Sequence, residues 1–176
     1  MSYCFIGVDP GLSGAVCIYW PKSEECQFID MEKCAVKKQS TSAAEAKGNE
    51  VCPYLLSNAI IEQVRDSKCL SAHIERVVGM PRQGSGSVFS LGDSFGVARA
   101  CVIMAANPEN LMFSYPATWK KELGLSSSKT TSTTLSLAIH PHLQLSLKRK
   151  KDHDRAEAFL LAYMAYKNHY GLSYKD

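Results

Sequence analysis

Apolar and polar positions follow two different spacings along this chain, and the spacings predict its elements. Short apolar runs of strand length cover residues 3–8, 14–20 and 25–31, with polar turns between them. From Pro53 the apolar residues recur at helical spacing, and the proline falls in the first turn, where its missing N–H is tolerated. Three strands with short turns predict an antiparallel meander, and the helix that follows predicts a crossover to a parallel strand.

The rest of the chain continues this alternation. Strands are predicted over residues 72–78 and 111–115, and helices over residues 88–106, 116–123, 126–140 and 152–164. Residues 37–49 are small and polar, and we predict a surface loop there. The elements together predict a single α/β domain over residues 1–176. Its centre is a five-stranded mixed sheet flanked by helices, with strands 1 to 3 antiparallel and strands 1, 4 and 5 parallel.

Composition narrows the function classes. With 176 residues, 45% of them apolar, the chain can bury one sizeable core. The net charge of +3 says little about partners, but residues 148–151 (KRKK) form a basic run that suits a polyanion. Seven cysteines without a C-x-x-C pair argue against a disulfide framework and a zinc site. No signal peptide is recognisable and no apolar stretch reaches the ~18 residues of a membrane span, so we predict a soluble intracellular protein without a membrane partner.

Acidic residues recur at the ends of predicted elements. Asp9 follows the first strand and Glu75 lies in the fourth, whereas Asp152, Asp154 and Glu157 open the last helix. Each has an ordinary explanation, because Asp-Pro-Gly is a common turn, an exposed edge strand tolerates glutamate, and acids favour helix starts. The predicted topology nevertheless brings three or four of these carboxylates to one end of the sheet. Such a group suits Mg²⁺, with Mn²⁺ as a substitute, and carboxylate-held ion pairs serve phosphoryl displacement.

Five segments resemble a known family in their order along the chain. They are IGVDPGLSGAV, HIERV with the later SLGDSFGVARA, FSYPATWKKELGLSSSK and DHDRAEAFLLA. This set resembles the RuvC-type Holliday-junction resolvases of the ribonuclease H-like superfamily, and KRKKDHDRAEAFLLA is most similar to their phage and plastid members. The resemblance implies a ribonuclease H-like fold and a Mg²⁺-dependent endonuclease. Such an enzyme resolves four-way DNA junctions by paired symmetric nicks that leave 5′-phosphate and 3′-hydroxyl ends.

The resemblance also implies roles for individual acids. Asp9 and Glu75 match the first two catalytic acids of the family. The bacterial pattern then selects Asp154 with Glu157, whereas the phage-like pattern selects Asp152 with Glu157. The implied catalytic residues are therefore Asp9, Glu75, Asp152 and Glu157, and the implied metal ligands are these four and Asp154, with His153 close by.

Basic, hydroxyl and aromatic side chains are implied to bind the DNA. They are Lys120, Lys121, Ser128, Lys129, Lys148, Arg149, Lys150, Lys151, Arg82 and Phe89. Bacterial resolvases carry an aromatic residue three positions after the second acid, but this chain has Val78 there. Stacking at the junction centre is therefore expected from Phe89 or from the loop at residues 80–81.

Paired nicking needs two active sites, so a homodimer is implied as well. The helix predicted over residues 88–106 is the expected contact. Its Gly92 and Gly96 permit close approach, and Phe89 and Phe95 supply apolar area. The same residues could instead pack this helix against its own sheet.

Two other functions share these features in part. Small ribonuclease H-like nucleases that act on RNA have the same fold, but the glycine-rich helix start and the Ser/Lys loop fit them poorly. A catalytically silent junction-binding protein is the second alternative. It would gain affinity for phosphate by losing acids, so the five acids argue against it.

Overall fold

A five-stranded sheet lies at the centre of the structure, a computed structural model that describes residues 2–38, 46–79, 82–126 and 129–174. The strands in chain order are β1 (Ser2–Asp9), β2 (Ala15–Trp20), β3 (Glu25–Asp30), β4 (Lys33–Lys38), β5 (Ala46–Val51), β6 (Ser67–Glu75) and β7 (Asn110–Ser114). The central sheet has the order β3-β2-β1-β6-β7. Strands β1, β2 and β3 pair antiparallel, whereas β6 is parallel to both β1 and β7. The predicted mixed sheet is thus confirmed.

Helices cover both faces of this sheet. They are α1 (Pro53–Val64), α2 (Ser85–Ala106), α3 (Pro116–Glu122), α4 (Lys129–Ile139) and α5 (His153–His169), with short 3-10 helices at Pro141–Leu145 and Lys150–Asp152. The first two pack on one face and form a core with alternate residues of β1 and β2. The last helix packs on the other face, where α4 covers it.

Strand β6 differs from its prediction at both ends. It begins at Ser67 rather than at residue 72, because Ser67 to Cys69 pair with the first residues of β1. It ends at Glu75 rather than at residue 78, since its last pair with β1 is Val8 with Ile74 and β1 itself ends at Asp9. Glu75 therefore closes the strand instead of lying inside it.

The prediction of a surface loop over residues 37–49 is wrong at both ends of that segment. Strands β4 and β5 form an antiparallel hairpin there, with Cys34 opposite Glu50. Residues 39–45 lie outside the described part of the chain. The backbone ladder pairs residues whatever their side chains, and a backbone bond from Cys52 N–H to the Glu32 carbonyl closes the hairpin base. Small polar side chains concealed this pairing from a pattern of hydrophobicity.

A glycine brings α5 directly onto β1. A Cβ at Gly7 would lie 2.0 Å from the Ala158 carbonyl oxygen and 2.2 Å from the Ala162 nitrogen, so only glycine fits. The neighbouring residues Ile6 and Val8 point to the opposite face and are fully buried. This close approach places the first turns of α5 beside the carboxyl end of β1.

Helix α2 has one property that the sequence analysis did not anticipate. By length and composition alone its 22 residues could cross a membrane. Its residues Ala98 and Val102 are fully buried, and the helix packs on α1 and contacts β6. It is therefore one layer of the α/β fold.

Candidate active site

Asp9 and Glu75 lie side by side at one end of the sheet, where two central strands finish. Each is the last residue of its strand, and β1 and β6 are parallel neighbours, so their carboxyl ends meet. The turn after Asp9 is tightly built, because a Cβ at Gly14 would lie 1.9 Å from the Asp9 carbonyl oxygen. Backbone bonds from Gly11 N–H to Asp9 and from Gly14 N–H to Gly11 hold this turn. The close backbone approach at Gly14 thus fixes the position of Asp9.

Four carboxylates at this end of the sheet are close enough for their charges to shift one another's pKa. We call Asp9, Glu75, Asp154 and Glu157 the acid group. Burial raises the pKa of Asp9 well above its usual range, and the charges of Glu75, Asp154 and Glu157 raise it further. Burial likewise raises the pKa of Glu75 to about 6, although a hydrogen bond from Trp119 opposes the shift. The fold therefore holds several acids close together at an energetic cost.

Helix α3 supplies a partner to two members of the acid group. The indole Nε1 of Trp119 donates to Glu75 Oε2 at 2.7 Å, and the Lys120 amino group donates to Glu157 Oε1 at 2.7 Å. Trp119 is fully buried, and the Lys120 amino nitrogen lies 5.1 Å from the centre of its ring. This seven-residue helix thus reaches both neighbouring acids with adjacent residues.

Two further side chains complete these contacts. Ser132 of α4 donates its hydroxyl to Glu157 Oε1 at 3.0 Å, and both residues are buried. His153 Nε2 lies 2.7 Å from Asp154 Oδ1, an ion pair when the imidazole is protonated. Ser132 could not be identified from the sequence, because a hydroxyl within SSSKTTSTT reads as a helix cap. Trp119 was not predicted either, since its only signal is its place beside Lys120 in a short helix.

Asp152 is not part of the acid group. Its carboxylate accepts hydrogen bonds from the Arg149 backbone N–H at 2.7 Å and from the Arg149 guanidinium at 2.7 and 2.9 Å. Asp152 is only 3% exposed. Burial by itself raises the pKa of this carboxyl, but the bonds from Arg149 more than offset burial and hold the pKa below its usual range. The structure places Asp154, rather than Asp152, beside Asp9.

Arg155 anchors the start of α5 to the far strand of the sheet. Its Nε and Nη2 donate to the two carboxylate oxygens of Asp30, each at 2.7 Å. Asp30 is the last residue of β3. This two-pronged contact orients the turn that carries Asp154 and Glu157, so Arg155 is a positioning residue for α5.

His73 shows that Glu75 does not lie on an exposed edge strand. Strand β6 runs between β1 and β7, and His73 is only 2% exposed. Its Nε2 shares a hydrogen bond with the Ser114 hydroxyl, and burial lowers the pKa of the ring to about 4. The ordinary explanation of Glu75 as a solvated edge residue is therefore wrong.

The donor set of the acid group fits a hard divalent cation. In the described ranges, no three His, Cys, Asp or Glu side chains are arranged to hold a metal ion as they stand. Lys120 and Ser132 both donate to one oxygen of Glu157, Oε1. Carboxylate oxygens that are buried and repel one another are nevertheless the ligands that Mg²⁺ prefers.

The residues implied to bind DNA are spread over several elements. Lys121, Lys148, Arg149 and Lys151 are exposed, and Phe89 on α2 is 78% exposed. Lys129 is the first residue of α4, Lys150 opens the second 3-10 helix, and exposed Arg82 precedes α2 with a φ of 70°. Lys120 points into the acid group instead of outward. Ser128 and the loop at residues 80–81 lie outside the described residues.

Comparison with known proteins identifies the fold. No protein-family model matches the chain, and no curated protein matches it. The structure of T. thermophilus RuvC in complex with a Holliday junction substrate matches with a TM-score of 0.56 and 14% identity, over 97% of this chain and 96% of that chain. A second Thermus thermophilus RuvC structure matches with a TM-score of 0.49 and 14% identity, over 97% of both chains. The protein therefore has the ribonuclease H-like fold of RuvC, with its five-stranded mixed sheet and flanking helices.

Proposed function

We propose that this protein is a divalent-metal-dependent endonuclease that resolves four-way DNA junctions by paired symmetric nicks. One observation carries the proposal: a RuvC-like fold gathers the acid group at the carboxyl ends of β1 and β6. The structural neighbour that shares this fold is described in complex with a Holliday junction. The family resemblance of the opening and closing segments points to the same substrate. Likeness to the phage and plastid members stays a prediction.

The acid group would hold the metal. Asp9, Glu75, Asp154 and Glu157 are the proposed ligands, with Asp154 preferred to Asp152 because Arg149 already binds the latter. When bound there, Mg²⁺ or Mn²⁺ would neutralise charge on the phosphate and activate water, the chemistry that leaves 5′-phosphate and 3′-hydroxyl ends. The protein itself orients the acids, through Trp119 on Glu75 and the rigid turn at Asp9.

Basic residues around the site would bind the DNA backbone. Lys121 lies on α3 next to Lys120, and Lys148 and Lys151 belong to the basic run that leads into α5. All three are exposed, so their ammonium groups can neutralise phosphates without first leaving a buried partner. The proposed substrate also implies work in an intracellular compartment that holds DNA, whether a bacterial or phage-infected cytoplasm or an organelle.

A homodimer would present two such sites to one junction. Helix α2 is the proposed contact, because among the described residues no atom outside this helix lies within 4 Å of a Cβ added at Gly92 or Gly96. Both glycines line a groove of about 660 Å³ between α1 and α2. Nearby Phe89 and Met104 are 78% and 83% exposed. Packing contacts among the described residues therefore do not require glycine at either position.

Light scattering tests the dimer. Gly96→Leu should convert the dimer to a monomer without lowering thermal stability, because the added side chain blocks only the partner. Gly86→Leu, at the start of the same helix, is the matched control and should stay dimeric. A wild type that is monomeric at micromolar concentration, both alone and on junction DNA, would rule out paired resolution by this surface.

Cleavage assays test the main proposal. Labelled four-way junction, linear duplex and RNA hairpin are each incubated with the protein in Mg²⁺, in Mn²⁺ or with a chelator. We expect symmetric nicks in the junction alone, dependent on the metal and sealed by DNA ligase. Cleavage of the hairpin would favour the RNA nuclease, and junction binding without cleavage in either metal would favour the silent binding protein.

A further inference from the structure

The amino group of Lys120 lies within the acid group. It donates to Glu157 Oε1 at 2.7 Å, and its positive charge also lowers the pKa of both Asp9 and Glu75, against the effect of burial. The pair is largely enclosed, since the Lys120 and Glu157 side chains are 24% and 9% exposed. Lys120 therefore compensates part of the negative charge that four converging carboxylates create.

The same contact conflicts with metal binding. Oε1 of Glu157, one of the two oxygens that this residue could offer to a cation, is already bonded to Lys120 and to Ser132. A divalent ion placed among the acids would also repel the ammonium at short range. A metal and the Lys120 amino group thus compete for the same carboxylates.

The surroundings of Lys120 allow the amino group to leave. Its neighbour Trp119 is fully buried and fixed to Glu75, so α3 stays in place while the lysine side chain turns. The ammonium rests 5.1 Å from the Trp119 ring centre, and about a quarter of the side chain is exposed. A flexible four-carbon stem can therefore carry the charge from Glu157 to the open edge of the site.

We propose that Lys120 is the resident counter-ion of the acid group: it holds Glu157 in the metal-free protein, competes with the divalent cation, and on metal binding turns outward to the DNA phosphate. This inference rests on the proposed metal site. The affinity for metal is then set partly by the Lys120–Glu157 pair. When the metal binds, the Lys120 ammonium moves from the Glu157 carboxylate to a phosphate of the DNA. By linkage, a polyanion that attracts Lys120 also tightens metal binding.

Metal binding without DNA tests the inference. Isothermal titration with Mn²⁺ compares the wild type with Lys120→Met, which keeps the stem and removes the charge. We expect Lys120→Met to bind Mn²⁺ about tenfold more tightly, equivalent to about 1.4 kcal/mol. Lys68→Met is the matched control, because it removes the same charge from an ion pair with Glu109 at a separate place on the sheet. Its Mn²⁺ affinity should equal that of the wild type.

Thermal unfolding supplies a second readout. In chelator, Lys120→Met should melt below the wild type, because the acid group has lost its counter-ion, and Mn²⁺ should stabilise it more than the wild type. Should Lys120→Met not fold in chelator, Lys120→Gln takes its place, since its amide can still donate to Glu157. Unchanged or weaker Mn²⁺ binding by the uncharged variants overturns the inference while leaving the proposed function standing. Tighter binding in a protein that cleaves no junction supports the inference and overturns the proposed function.

Discussion

Asp152 and Glu157 both lie at the start of α5, and both are buried. Each pairs with a positively charged side chain, but the two ion pairs are built differently. The partner of Asp152 is Arg149, three residues earlier, which uses its backbone N–H and its guanidinium together. The partner of Glu157 is Lys120, 37 residues away on α3, which uses a single flexible amino group. One pair is local and multiply bonded, and the other joins two elements through one contact.

The two pairs differ in what their release would do to the fold: one holds a turn together, whereas the other can open without disturbing a helix. Releasing Asp152 would open the turn that begins α5, because its partner belongs to that same turn. Releasing Glu157 from Lys120 leaves the helix intact, since Glu157 sits within α5 and Trp119 still anchors α3. We therefore propose that Glu157, whose partner can leave without opening this turn, is the acid that exchanges its lysine for a metal.

The largest expected effect comes from the acid group itself. Asp9→Asn should lower junction cleavage at least about a thousandfold, the scale seen when an essential group is removed. Junction binding should be retained or become tighter, because a negative charge that faces phosphate is lost. Single-turnover cleavage and gel-shift binding measure the two effects, with Glu75→Gln and Glu157→Gln expected to behave alike. Unimpaired cleavage by Asp9→Asn in Mg²⁺ would exclude the acid group as the active site.

The second prediction concerns pH, where the acid group and Asp152 should respond with opposite signs. The pKa of folded Glu75 is raised from 4.5 to about 6, so the folded state keeps a proton that the unfolded state releases. Its contribution to the free energy of unfolding should therefore fall by on the order of 2 kcal/mol as pH rises across that window. The pKa of Asp152 is lowered, so its contribution is present above 3.8 and lost as pH falls further.

Denaturant unfolding over pH, with chelator present, measures both contributions. Glu75→Gln should reduce the decline between pH 4.5 and 6, to which buried Asp9 contributes with the same sign, whereas Asp152→Asn should remove only the loss at lower pH. Identical profiles for the wild type and Glu75→Gln would show that folding does not raise the pKa of Glu75.

The third prediction separates the two candidate ligands at the start of α5. Asp152→Asn should lower Tm by about 3 °C and leave the Mg²⁺ requirement of cleavage unchanged, because its partner is Arg149. Asp154→Asn should leave Tm nearly unchanged and raise the Mg²⁺ concentration for half-maximal cleavage by about tenfold or more. A reversed pattern would restore Asp152 as the ligand, in agreement with the phage-like arrangement.

Much of the fold could be predicted because local patterns encode it. Strand-length apolar runs predicted all five strands of the central sheet, and the predicted topology brought the acids to one end of it. The choice between Asp152 and Asp154 could not be predicted, since both are aspartates and bind metal equally well. What decides it is whether the Arg149 guanidinium folds back onto Asp152, which depends on burial of that turn.

Contacts between distant elements were the other gap. Trp119 and Glu75 are 44 residues apart, and Ser132 and Glu157 are 25 apart. Neither pair has a spacing that a sequence pattern could reveal, because the contact arises only when α3 and α4 pack beside α5. The sequence indicated that acids gather at one end of the sheet, but it could not show which side chains bond to their oxygens.

The smallest expected effect extends the comparison to the basic run. Lys148 is exposed, whereas Arg149 already gives its guanidinium to Asp152. Lys148→Gln should weaken junction binding and reduce the slope of log affinity against log salt by about 0.9, the value for one phosphate contact. Arg149→Gln should change that slope much less, because in the wild type its charge is compensated within the protein. Fluorescence anisotropy over a salt series measures both slopes, with Lys68→Gln as a control that leaves them unchanged. Equal changes for the two variants would mean that Arg149 leaves Asp152 when DNA binds, so that the local pair opens as readily as the one between Lys120 and Glu157.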